Sequence, residues 1–130
     1  MSKLPCLTEF DEGKQLVAYL RLRNIAFTHV GNETGSSMEA KRRAVRMKQS
    51  GVSRGFPDYV VALPGIGVAY IELKRVRGSA TSPEQKAWIE ILNTCPAAEA
   101  RVCKGFDEAR AFIEELLPLP KSTVDTGSIF

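Results

Sequence analysis

The stretch PDYVVALPGIGVAYIELKR, residues 57–75, decides the fold of this chain. Two apolar runs, YVVAL and IGVAYIEL, flank Pro64 and Gly65, a dipeptide that marks a turn between strands. We therefore predict an antiparallel β-hairpin. Its open end carries three charges, because Asp58 precedes the first strand and Glu72 and Lys74 close the second.

The geometry of such a hairpin brings the two acids together. A turn centred on positions 64 and 65 places position 58 across from 71, and a four-residue loop places it across from 73. In either register Asp58 lies within about one residue of Glu72. Since side chains alternate along a strand, Glu72 and Lys74 project from one face of the sheet while Ile71 and Leu73 face the other. One site can therefore gather all three charged groups.

Two neighbouring carboxylates repel each other, and one pKa rises unless a cation lies between them. A hard divalent ion such as Mg²⁺, which prefers oxygen ligands, would relieve this repulsion. Lys74 could then orient an attacking water or stabilise charge on a phosphoryl oxygen. The alternative is an acid and a Lys–Glu pair that are merely solvated at a strand end.

The rest of the chain supplies helices and two further strands around the hairpin. We predict helices over about 9–23, 38–51, 83–93 and 107–117, and short strands at IAFTHV and ARVCK. The third helix should begin at Pro83, with Ser82 as N-cap and Gln85 completing a capping box, and should turn Trp88, Ile91 and Leu92 inward. The order predicts an α/β fold: a mixed sheet, with the antiparallel hairpin and one parallel crossover strand, flanked by helices.

Length and composition favour one folded domain. The 130 residues are 44% hydrophobic and 25% charged, so we assign residues 1–117 to a single domain and 118–130 to a mobile tail. No apolar run approaches the ~20 residues of a membrane span, and no apolar signal core follows the N-terminus, which favours a cytoplasmic location. Three cysteines without a CxxC spacing predict neither a disulfide framework nor a zinc site.

A local excess of positive charge points to an anionic partner. Between residues 38 and 54 one acid, Glu39, stands against six bases: Lys41, Arg42, Arg43, Arg46, Lys48 and Arg54. Such a concentration favours nucleic acid as the partner, with a solvated helix face as the alternative. Arg75 and Arg77 follow the second hairpin strand and are further candidates for phosphate contacts.

The pattern PDYVV…YIELKR…GSATSPEQKAW resembles the PD-(D/E)xK nucleases. Pro57 and Asp58 fill the P-D part of that motif, and Glu72, Leu73 and Lys74 fill the E-x-K part. More narrowly, the chain resembles the VRR-NUC branch in its phage and bacterial stand-alone form, where the E-x-K strand is followed by a helix that carries a glutamine, here Gln85. The resemblance spans about residues 9–117.

This resemblance implies a restriction-endonuclease-like core and metal-dependent hydrolysis of DNA phosphodiesters. It implies Mg²⁺, with Mn²⁺ as a substitute, held by Asp58, Glu72 and the Leu73 carbonyl, with Lys74 assisting the water. The same families place a glutamate on the first helix near the metal. Glu12 is our choice because it shares a face with leucines four and eight residues later, and Glu9 is the alternative.

The resemblance also implies a homodimer that cuts branched DNA such as a four-way junction; a phage-encoded protein of this kind would act in the host cytoplasm. Two other functions remain open at this point. One is a non-catalytic module that binds nucleic acid through the basic helix. The other is a repair or restriction-type nuclease that acts on duplex or flap DNA. Both would use the same residues.

Overall fold

The computed structural model of the chain describes residues 5–31 and 37–118. Within these ranges eight elements follow one another in the order that the sequence predicts. They are α1 (Glu9–Leu22), β1 (Ala26–His29), α2 (Met38–Gln49), β2 (Tyr59–Leu63), β3 (Gly67–Lys74), α3 (Pro83–Leu92), β4 (Ala98–Lys104) and α4 (Phe106–Leu116). The expected tail, apart from its first residue, lies outside the described residues. No helix among those described is long and apolar enough to cross a membrane.

The four strands form one mixed sheet in the order β1-β2-β3-β4. β1 pairs antiparallel with β2, β2 pairs antiparallel with β3, and β3 pairs parallel with β4. The parallel pair requires a crossover, and α3 supplies it. The predicted fold class, an antiparallel hairpin joined to one parallel strand and flanked by helices, is therefore confirmed.

The two faces of β3 have different environments. Ile71 and Leu73 are buried in the hydrophobic core together with Leu16 and Leu20 of α1 and with buried side chains of α4. Because neighbouring residues of a strand point to opposite faces, Glu72 and Lys74 face the other side, where α3 lies. One face of the strand thus stabilises the fold, and the other face is available for chemistry.

One detail of α3 differs from the prediction. Leu92 is buried and Trp88 is half-buried, as expected, but Ile91 is 56% exposed. Leu92 is the one residue of α3 that is buried, so the side of the helix that carries Ile91 is not covered by the sheet. The predicted inward orientation of Ile91 is therefore wrong.

Candidate active site

The hairpin register sets the position of Asp58. Leu63 pairs with Gly67 and Tyr59 with Ile71, so three residues form the loop. Gly65 follows Pro64 in a turn that the Ile66 N–H closes on the Leu63 carbonyl at 2.9 Å, and its φ of 79° is the positive value that favours glycine at this position. Extending the register by one residue places position 58 opposite position 72, between the two registers considered above. The Asp58 carboxylate is fixed there because its Oδ2 accepts a hydrogen bond of 2.9 Å from the Leu73 backbone N–H.

Glu72 and Lys74 form a buried ion pair on the α3 side of β3. Their exposed fractions are 2% and 9%, and 3.5 Å separates Lys74 Nζ from Glu72 Oε2. Charged side chains are seldom buried to this degree unless they are paired, because water no longer solvates them. The strand alternation predicted for this pair is confirmed.

Gln85 joins the pair to the start of α3. Its Nε2 donates to Glu72 Oε2 at 3.0 Å, and its Oε1 accepts from Lys74 Nζ at 3.1 Å. The same Oε1 accepts from the Ser82 backbone N–H at 2.8 Å, and Ser82 Oγ accepts from the Gln85 backbone N–H at 3.1 Å. The predicted capping box is thus complete, and the glutamine bonds to both charged groups as well. We call Glu72, Lys74 and Gln85 the buried polar network.

Aromatic packing and a glycine hold the first turn of α3 against the sheet. The Phe56 ring meets the Trp88 ring at 5.0 Å and the Tyr70 ring at 5.7 Å, both edge to face. Gly55 lies so close to α3 that a Cβ atom there would come within 2.8 Å of the Gln85 backbone nitrogen. Its φ of 90° also favours glycine. The loop before Asp58 therefore fixes the helix that carries Gln85.

At the other end of α3, the Asn93 side chain forms two hydrogen bonds with the backbone of β4. Asn93 Oδ1 accepts from the Ala100 backbone N–H at 2.7 Å, and Asn93 Nδ2 donates to the Ala100 carbonyl at 2.9 Å. A helix held at both ends has little freedom to slide along the sheet. The side-chain contacts of Gln85 are consequently part of a rigid frame.

Burial and, to a smaller extent, the neighbouring Asp58 carboxylate raise the pKa of Glu72 to about 8, against the lowering effect of Lys74. Glu72 Oε1 is also the one buried side-chain oxygen or nitrogen in the described part of the chain that has no hydrogen-bond partner. A hard cation next to Asp58 and Glu72 would supply that partner and oppose the rise in pKa, so the donor set is compatible with Mg²⁺.

Comparison with known proteins bears on what this arrangement does. The profile of the VRR-NUC domain family matches residues 17–107, which is more than half of the chain. The chain belongs to the VRR-NUC domain family. Membership in this family of nuclease domains supports a nuclease-type function, with DNA as the implied substrate. A search of curated proteins found no significant match.

A solved structure supports the fold of this VRR-NUC domain. It is described as a VRR_NUC domain protein, superimposes with a TM-score of 0.69 and shares 24% sequence identity. The likeness covers 88% of this chain and 91% of the other, so the two share the fold over nearly their whole length. The family match includes Asp58, Glu72, Lys74 and Gln85 but begins after the first two turns of α1.

The glutamates of α1 take different positions in this VRR-NUC domain. Glu12 is 5% exposed, on the same buried face as the leucines of α1, and its Oε1 accepts from the Phe106 backbone N–H at 2.9 Å. Gly105, which precedes Phe106, is the N-cap of α4 and has no side chain to cap the helix. Glu12 therefore satisfies a backbone donor at the start of α4. Sequence reasoning missed this role, although the missing capping side chain before α4 could have indicated it.

Neither α1 glutamate completes a three-carboxylate site with Asp58 and Glu72. Across residues 5–31 and 37–118, no group of three or more His, Cys, Asp or Glu side chains is placed to hold a metal ion. Glu9 is exposed and borders a cleft that Asp58 also lines. A ligand role for Glu12 or Glu9 therefore stays a prediction.

The predicted DNA-binding residues are all exposed: Lys41, Arg42, Arg43, Arg46, Arg54, Arg75 and Arg77. The first four lie on α2, of which only Ala40 is buried. Arg54 precedes the glycine that packs against α3, and Arg75 follows Lys74 directly, with its Nη2 bonded to the Gly78 carbonyl at 3.0 Å. An exposed base therefore lies shortly before Asp58 in the chain, and another lies directly after Lys74.

Proposed function

We propose that this VRR-NUC domain is a Mg²⁺-dependent DNA endonuclease of the PD-(D/E)xK type. Asp58, Glu72 and the Leu73 carbonyl would hold the ion, with Mn²⁺ as a substitute. The observation that supports this most is the unpartnered Oε1 of Glu72, buried beside a second carboxylate. A buried acid in that state costs free energy unless a cation or a proton compensates it.

Lys74 is the residue that we assign to charge stabilisation. Gln85 and Glu72 hold its ammonium group within 3.1 and 3.5 Å, so the group is oriented before a substrate arrives. A positive charge fixed in a water-poor site interacts with developing phosphoryl charge more strongly than one that must reorganise. The bound Mg²⁺ would supply Lewis-acid polarisation of the phosphodiester and an activated water. Gln85 would act as a positioning residue through the other two.

Branched DNA is the substrate that we propose, cut by a homodimer. This extension rests on the resemblance to stand-alone VRR-NUC domains, in which two active sites would cut two strands. It predicts a solution mass near twice 14.3 kDa and a preference for a four-way junction over linear duplex. A mass near 14.3 kDa at the concentration used for cleavage would remove the dimer from the proposal.

The deciding experiment compares linear duplex, flap and four-way-junction DNA, each with Mg²⁺, with Mn²⁺ and with EDTA. We expect cleavage with either metal and none with EDTA. Binding to all three DNAs without any cleavage in Mg²⁺ or Mn²⁺ would favour the non-catalytic binding module instead. Equal cleavage of duplex and junction would favour a repair or restriction-type nuclease.

A further inference from the structure

A cleft of about 640 Å³ lies on the α1 side of the sheet and borders the candidate active site at Asp58 and Leu73. α1 forms one wall, and His29 of β1, Asp58 and Tyr59 contribute to the other. Its volume is within the range of about 300–1,000 Å³ that is common for ligand sites. Apart from Glu9, the alternative metal ligand, the proposed chemistry uses only Asp58 and Leu73 from its lining, so most of the α1 wall has no assigned role.

Aromatic rings face this cleft. Phe10, in the first turn of α1, is 74% exposed, and Lys14 Nζ lies 5.3 Å from the centroid of its ring. On the opposite wall the exposed His29 ring packs on the buried Tyr59 ring at 4.8 Å. An exposed phenylalanine contributes little to folding, because it removes little apolar area from water. Aromatic faces beside a cation are, however, well suited to stack a nucleic-acid base.

The cations of the cleft follow the same stripe of α1 as Phe10. Lys14 and Arg21 come four and eleven residues after Phe10, spacings that keep all three side chains on one side of the helix. Phe10 and Arg21 are about 16 Å apart along the helix axis. Glu9 and Asp58 also line the cleft, so phosphates would bind beside Lys14 and Arg21 rather than next to these acids. The stripe therefore combines one ring suited to stacking on a base with two cations suited to contacting phosphates.

We propose that this cleft binds an unpaired nucleotide of the DNA strand, next to the phosphate that is cleaved. The base would stack on Phe10, and the backbone would contact Lys14 and Arg21. Bases inside a duplex are already stacked on both faces, so only an unpaired base can lie on the ring. The inference builds on the proposed nuclease function, because Asp58 at the border of the cleft is what places the nucleotide beside the reaction.

The test measures binding of the full chain to two labelled probes by fluorescence anisotropy in Ca²⁺. The probes are a single-stranded DNA dodecamer and a duplex of the same length. Phe10→Ala should weaken single-strand binding about five- to 150-fold, the equivalent of about 1–3 kcal/mol for one stacked base, and should change duplex binding less than about twofold. Phe10→Trp should restore single-strand binding.

A matched control is available on the same helix. Leu22 is 85% exposed and lies outside the lining of the cleft, so Leu22→Ala should change neither affinity. Lys14→Gln offers a second route that does not depend on the ring. It should lower the salt slope of single-strand binding by about 0.7, whereas Lys86→Gln on α3 should leave that slope unchanged.

Two outcomes would overturn the inference. One is an unchanged single-strand affinity for Phe10→Ala together with an unchanged salt slope for Lys14→Gln, and the other is an equal loss of affinity for both probes. Cleavage of junction DNA in Mg²⁺ is measured separately. Normal cleavage without an effect of Phe10→Ala would reject the nucleotide site in the cleft and support the nuclease function. An effect of Phe10→Ala on binding without any cleavage by the wild-type protein would reject the nuclease function and support the cleft as a nucleotide site.

Discussion

The buried polar network and the helix α2 hold charge in opposite ways. Lys74 is 9% exposed and fixed by two partners, whereas Lys41, Arg42, Arg43 and Arg46 are exposed and, among the described residues, form no ion pair. α2 itself buries only Ala40, while Met38 and Val45 stay 65% and 56% exposed.

This difference separates two tasks that a nuclease must perform. Chemistry requires groups that are oriented before the substrate binds, and burial among fixed partners provides this at a cost in desolvation. Holding a phosphate backbone requires charge that can follow its partner, and exposed side chains on a loosely packed helix provide it. We therefore expect changes in the network to abolish catalysis with little effect on DNA affinity, and changes in α2 to do the reverse.

The largest effect should come from the two carboxylates. Asp58→Asn and Glu72→Gln should each reduce single-turnover cleavage of junction DNA by about a thousandfold or more, because each removes a charge that would hold the metal. The fold should remain, since the loss of carboxylate repulsion does not harm the metal-free protein. Circular dichroism checks the fold. Glu99→Gln, an exposed acid on β4, should cleave at the wild-type rate. Wild-type cleavage by Asp58→Asn or Glu72→Gln would show that the site is assigned wrongly.

Lys74→Met should separate chemistry from binding. Turnover should fall by about a hundredfold or more, the range for loss of one preorganised electrostatic group, while DNA affinity in Ca²⁺ stays within about twofold. The sheet provides a close control, because Lys104 on β4 is the register partner of Lys74 but is exposed. Lys104→Met should cleave normally. If both methionine variants cleave alike, Lys74 has no part in the mechanism.

Changes in α2 should give the inverse result. The triple variant Arg42→Gln, Arg43→Gln, Arg46→Gln should lower the salt slope of DNA binding by about 0.9 for each lost phosphate contact, up to about 2.7 in total. At saturating DNA the cleavage rate should change less than about threefold. A control variant with the same loss of charge neutralises Arg110, Lys86 and Lys104, which lie on other elements. Equal slopes for wild type and the α2 variant would mean that the basic residues of α2 are only solvated and do not contact DNA.

The parts of the molecule that sequence could predict are those with local causes. The hairpin follows from two apolar runs around a Pro–Gly turn, and the start of α3 follows from Ser82, Pro83 and Gln85, all within four residues. The position of Asp58 opposite Glu72 follows from the hairpin alone. Each of these features depends on neighbours in the chain, so no knowledge of tertiary packing was needed.

What sequence could not predict depends on contacts between distant residues. Gln85 contacts both Glu72 and Lys74 because Phe56, from a different segment, packs on α3. Glu12 accepts from Phe106, which is 94 residues away, and nothing near Glu12 in the chain indicates that partner. Ile91 is exposed because β4 covers only part of α3, which a helical period does not reveal.

The smallest effect that we expect concerns the stability of the metal-free protein and depends on pH. Glu72 has a pKa of about 8 in the folded chain against an ordinary value of 4.5, so between these two pH values the folded state binds more protons than the unfolded state. The free energy of unfolding contributed by Glu72 must therefore fall as pH rises from about 4.5 to about 8.

Glu72→Gln removes this contribution, because an amide does not ionise. In urea unfolding with EDTA present, the free energy of unfolding of the variant should rise relative to that of wild type between pH 5 and pH 8. Taking this difference cancels the titration of groups that both proteins share. Glu99→Gln should run parallel to wild type, since that acid is exposed. Parallel curves for Glu72→Gln would mean that Glu72 ionises normally in the folded chain. The buried polar network would then be as well solvated as α2, and the contrast between the two regions would not hold.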